Sequence, residues 1–132
     1  MSSPRRLRPF FIATLILAML PLVGAGTAHA CDPDLIDAAL SEADAHLGLA
    51  LRAGELDAAR VHLRRVAHAM GEAEAQFISC NCQNAPYEAA SAAADARRAA
   101  SAQEFADMAI SIDAAISGFQ LTVMAMQDDL CR

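Results

Sequence analysis

Four cysteines carry the most distinctive chemistry in this chain: Cys31, Cys80, Cys82 and Cys131. An even set in a small domain reads first as a disulfide framework, provided the compartment is oxidising. Kept as thiolates, the same four would hold a soft ion such as Zn2+ or Cu+. The Cys80-Asn81-Cys82 spacing is one residue short of the C-x2-C of zinc modules. A bridge within that pair would be strained and easily reduced, which is redox chemistry without the usual C-x-x-C signature. Three readings therefore stand side by side: structural staples, a Cu- or Zn-binding cysteine pole, and a thiol redox centre on Cys80-Asn81-Cys82.

Histidines and methionines supply a second set of soft or borderline ligands. His46 and His62 flank the apolar stripes of two successive helices and would approach each other if those helices pair head to tail. Met124 and Met126 sit two residues apart, and clustered methionines suit copper. Methionine also fills gaps in cores, and Met70 and Met126 fall on core stripes. No H-x3-H or H-E-x-x-H spacing occurs. Arg60, Arg64 and His68 form a basic line on one helix, with Glu72 completing an ion pair at four residues.

Carboxylates gather at the expected chain ends. Asp32, Asp34 and Asp37 begin the first helix, and Asp128 and Asp129 end the last, where the helix dipole disfavours acids. If those ends share one pole, it is acidic and suits a hard cation or a basic partner. No nucleophile elbow, Gly-rich phosphate loop or paired acid-base set is present, so the expected role is non-enzymatic and without a cofactor.

The chain opens with an export pattern. Arg5, Arg6 and Arg8 precede an apolar run from Phe10 to Val23, and Ala28-His29-Ala30 makes an A-x-A cleavage site. Cleavage before Cys31 places residues 1–30 in a secretory signal and residues 31–132 in one periplasmic or secreted domain with no membrane span of its own. The rival is a lipoprotein anchored through Cys31, for which Ala28 and His29 are poor preceding residues. Removing residues 1–30 leaves 102 of the 132 residues and takes away three arginines and no acid, so the formal charge moves from −6 to −9. That balance excludes nucleic acid, which requires cationic neutralisation. An unidentified protein partner is expected, and a homo-oligomer is an open alternative.

These residues need elements to position them, and the remaining sequence is helical throughout. Asp32 and Pro33 predict a helix start, with a stripe of Ile36, Leu40, Ala43, Leu47 and Ala50 ending near Arg52 and Gly54 taking φ > 0. The second stripe is Leu56, Ala59, Leu63, Val66, Met70, Ala73, Phe77 and Cys80. A short, alanine-rich third helix starts near Pro86. Ser101 to Glu104 reads as a capping box for the fourth helix, whose stripe is Phe105, Ala109, Ile112, Ile116, Phe119, Val123, Met126 and Leu130. The predicted architecture is all-α: a small antiparallel four-helix bundle, disulfide-stapled at one pole. In that topology the four cysteines share a pole, with Cys31 bonded to one of Cys80 and Cys82 and Cys131 to the other. Cys80–Cys82 with Cys31–Cys131 is the strained alternative.

Overall fold

A computed structural model describes residues 30–129. The expected signal sequence, Leu130 and Cys131 lie outside the described residues, apart from Ala30. Four helices follow one another: α1 (Pro33–Arg52), α2 (Leu56–Ser79), α3 (Ala85–Ser101) and α4 (Phe105–Asp128). α1 packs on α2, α2 on α3 and α3 on α4, while α1 and α4 touch only marginally.

Three contacts fix the antiparallel order. The Cys31–Cys80 disulfide joins the start of α1 to the end of α2, with Cα atoms 4.6 Å apart. At the same pole, the end of α4 meets the start of α3 through Asp129. At the opposite pole, Arg60 near the start of α2 donates from Nε and Nη2 to the carbonyl of Ala102, at 3.2 and 2.5 Å. That carbonyl lies at the C-terminal end of α3, where a guanidinium also meets the favourable end of the helix dipole. Arg60 additionally pairs with Asp57 at 2.7 Å.

α1 begins as its sequence predicts. Asp32 is the N-cap, its Oδ1 accepting from the Asp34 amide at 3.0 Å, and Pro33 follows in the first turn. The predicted stripes of α1 and α2 are buried, apart from half-buried Leu56. α2 ends in a Schellman motif: the Asn81 amide donates to the Ile78 carbonyl and the Cys82 amide to that of Phe77, each at 3.0 Å. The motif needs a left-handed residue after the cap, and Asn81 supplies it with φ 56°. The asparagine between the two cysteines therefore has a backbone role.

The two other connections are near copies of each other. Ala53-Gly54-Glu55 and Ala102-Gln103-Glu104 both place an extended alanine after one helix and an extended glutamate before the next. Gly54 does not adopt positive φ, contrary to expectation. Gln103 stands at its counterpart, so this turn has no need of glycine. The capping box also fails to form. Ser101 is the last residue of α3 and its Oγ donates to the Arg98 carbonyl, while Glu104 precedes α4 without a side-chain cap.

α4 departs most from expectation. Its buried face is Met108, Ser111, Ile112, Ala115, Gly118 and Thr122, about a quarter turn from the predicted stripe. The cause is α3, which offers only Ala85, Ala89, Ala92, Ala93, Ala96 and Ala99 to its neighbours. An alanine surface permits close approach, and α4 answers with its own small residues. A Cβ on Gly118 would lie 3.0 Å from the Cβ of Ala92 and 3.1 Å from its Cα. The large residues are displaced sideways: Ile116, Phe119, Val123 and Met126 are half-buried, and Phe105 is exposed.

The two turn and interface glycines give opposite expected results. Gly54→Ala should stabilise by about 0.4–1 kcal/mol, because its backbone is ordinary and nothing lies near an added Cβ. Gly118→Ala should destabilise by about 1 kcal/mol or more. The clash with the Ala92 backbone outweighs the helix-propensity gain. Urea titration of both variants checks the pair of signs.

Candidate functional site

The open seam between α1 and α4 forms a recess in two parts. One part, of about 380 Å3, is lined by Leu47, Gly48 and Leu51 of α1 and by Ile116, Phe119 and Gln120 of α4, with Asp44 and Arg52 on the α1 side. A second, of about 170 Å3, continues towards the turns and is lined by Ala50, Leu51, Phe105, Met108, Ile112 and Asp113. Together they make a cleft with an apolar floor. The floor exists because α4 turns its small residues to α3, which leaves Ile116 and Phe119 at the edge facing α1.

Charge is divided unevenly about this cleft. α1 carries Asp34, Asp37, Glu42 and Asp44, and α4 carries Asp107, Asp113 and Asp128. Arg60, Arg64, Arg65, Arg97 and Arg98 all lie on α2 and α3, leaving Arg52 as the arginine of α1 and none on α4. The remaining surface of α4 is unusually apolar. Ile110 is 72% and Met124 58% exposed, and Leu121 is nearly half exposed. By length and composition α4 is apolar enough to cross a membrane, though a third of its most apolar stretch is buried in the bundle.

The cysteines resolve in part. Cys31 pairs with Cys80, which is 1% exposed, and no described cysteine is free. Cys82 packs against the core. The bridge expected to Cys131 involves a residue outside the described ones.

The acidic residues of the shared pole take local positions. Asp32 caps α1, and Asp34 receives that cap. Asp37 and Asp128 are exposed. Asp129 has a more specific part. Its Oδ2 accepts from the amides of Asn84 and Ala85, both at 2.8 Å, and its Oδ1 from the Asn84 side chain at 2.9 Å. Asn84 itself makes no side-chain cap, so the end of α4 caps the start of α3. The amide donors, that of Ala85 foremost, hold the Asp129 carboxyl below its ordinary range against a smaller opposing effect of burial.

A pH-dependent outcome follows from Asp129. Asp129→Ala should lower stability at pH 7 by about 1 kcal/mol, a value kept small by solvent exposure. The folded-state carboxyl titrates below the unfolded one, so its contribution is full above about pH 4 and disappears as pH falls through the folded value. Urea unfolding of both proteins should show the gap closing as pH falls below about 4.

His46 and His62 come together across the α1–α2 seam, with their Nδ1 atoms 3.0 Å apart. Glu42 Oε1 lies 4.0 Å from the Nε2 of His46. Both rings are part-exposed. Met124 and Met126 do not converge: Met126 packs against the core and Met124 faces outward. Met70 and Met108 are fully buried in different parts of the core. His68 pairs with Glu72 at 3.6 Å on the outer surface of α2. Among the described residues, no three His, Cys, Asp or Glu side chains gather to hold a metal ion.

Sequence reasoning missed the α1–α4 cleft and the Asp129 cap. The first had a legible signal. Ser111, Ala115, Gly118 and Thr122 recur at spacings of four, three and four, a small-residue stripe that competes with the bulky one. No known protein-family model, curated protein or solved structure matches the chain.

Proposed function

We propose that residues 31–132 form an exported, non-enzymatic binding domain whose α1–α4 cleft receives a basic, amphipathic segment of a partner protein. The observation that carries this reading is the open seam itself. Leu51, Ile116 and Phe119 are large apolar side chains left incompletely covered around a recess whose floor includes the buried Leu47. An amphipathic helix laid in such a groove anchors through apolar residues at helical spacing. The acids of α1 and α4 favour a partner carrying lysine or arginine on its flanks, through steering and rim contacts. A second copy of this chain suits the site less well, because it would bring like charges together.

Export is supported by the leader pattern and by the presence of a disulfide, which persists in oxidising compartments. The burial of Cys80 supports a structural staple over a redox centre, since thiol exchange requires access to the sulfur.

The test is direct binding of a synthetic amphipathic Leu/Lys helix, followed by fluorescence anisotropy. Binding should weaken with salt and fall at least about tenfold, roughly 1.4 kcal/mol, in Leu51→Asp. Val61→Asp, on the outer face of α2, should bind as the parent does. A photo-crosslinker at position 51 should capture the peptide and not a second copy. Equal loss in both variants, or capture only of a second copy, would overturn the proposal.

A further inference from the structure

The His46–His62 pair has chemistry that the cleft does not use. The two residues lie equally far from Gly54 on either side of the α1–α2 turn, so antiparallel packing brings them level. Their ring centroids are 5.2 Å apart while the Nδ1 atoms are 3.0 Å apart. Rings in that relation meet nitrogen to nitrogen, edge on, with little face-to-face overlap. One ring then donates its N–H to the lone pair of the other.

We infer that His46 and His62 form a two-nitrogen site for a divalent transition-metal ion, Cu2+ foremost, that takes the place of the hydrogen between the rings. Metal–imidazole bonds of about 2.0–2.1 Å place two ligating nitrogens about 2.9 Å apart at a right angle and about 3.3 Å apart at the tetrahedral angle. The present 3.0 Å falls between these values, so the two nitrogens are already at a ligating separation, and each ring turns by roughly 35–45° to aim its lone pair off the N–N line at the ion.

Glu42 favours the ligating state of His46. Its carboxylate faces Nε2, on the far side of the ring from His62. At 4.0 Å the carboxylate is too far to accept a hydrogen bond, but its charge favours hydrogen on Nε2, which leaves the Nδ1 lone pair for the metal. In a neutral pair the donor imidazole moves its hydrogen from Nδ1 to Nε2 as the ion binds, so both Nδ1 lone pairs face the ion with no net loss of a proton. Partial exposure lets the ion enter and lets water complete its coordination.

The ligand set also selects the ion. Imidazole nitrogens suit Cu2+, Ni2+ and Zn2+, and Cu2+ stands highest in the affinity order. Ca2+ and Mg2+ require oxygen ligands and are disfavoured.

Cu2+ titration of the disulfide-intact protein, read by calorimetry and by electron paramagnetic resonance, tests the site. One ion should bind with nitrogen hyperfine structure from two imidazoles, a signature read on the parent protein alone. His46→Gln and His62→Gln should each weaken binding at least about tenfold. His68→Gln should leave it unchanged, and circular dichroism verifies that each variant is folded. Oxygen-only coordination in the parent, or parent-like affinity in His46→Gln or His62→Gln, would overturn the assignment.

Discussion

Loss of the Cys31–Cys80 bridge in a Cys31→Ser/Cys80→Ala variant is expected to lower the unfolding free energy by about 4 kcal/mol. The bridge closes a segment with a sequence separation of 49 residues. In the chain-entropy account, a loop of that length restricts the unfolded ensemble by about 4 kcal/mol. Alanine at position 80 avoids placing a hydroxyl in a site that is 1% exposed. Urea titration should show a lower midpoint together with a steeper slope, because the released chain exposes more surface on unfolding. A midpoint shift without a change in slope would place the effect in the folded state instead.

Phe77→Ala should be comparably damaging, at about 3–5 kcal/mol and towards the upper end. Phe77 is fully buried and is the largest such side chain in the bundle. Its core cluster is dominated by alanines, including Ala73, Ala85 and Ala89. A cavity lined by long side chains partly refills as those chains change rotamer, whereas alanine has no rotamer to change. Collapse would require helix backbones to move, and the Cys31–Cys80 bridge resists this at the adjoining pole. Phe77→Leu should recover much of the loss, because it returns most of the volume. Paired urea titrations check both, and a Phe77→Ala loss below about 2 kcal/mol would show that the helices do close up.

These two sites were legible in the sequence for a simple reason. α1 and α2 carry large apolar residues at alternating three- and four-residue spacing with no competing face. Their starts, ends and buried stripes follow from that pattern and from Asp32 and Pro33. The approach of His46 to His62 follows too, from their equal distance to the turn. α4 was harder because it carries two faces that both read as core. Bulk favoured Phe105, Ile116 and Phe119, but packing was decided by α3. A helix surfaced with alanine rewards closeness, and only the Ser111–Thr122 stripe allows it. The Asp129 cap lay beyond local reading because donor and acceptor are 44 and 45 residues apart. Gly54 and the Ser101 box misled in the opposite way, as familiar local signals that this turn geometry does not use.

The sequential arrangement of helix contacts has a kinetic consequence. Each extensive seam joins helices that are neighbours along the chain, and the seam between first and last helix is the one left open. The folding search therefore closes short loops almost exclusively, which is the low-contact-order regime of microsecond-to-millisecond folding. With the Cys31–Cys80 bridge kept intact, the protein should refold from urea within roughly a millisecond in a single exponential phase. The gap beside α4 is thus the part of the molecule that a rapid assembly route has least need to fill.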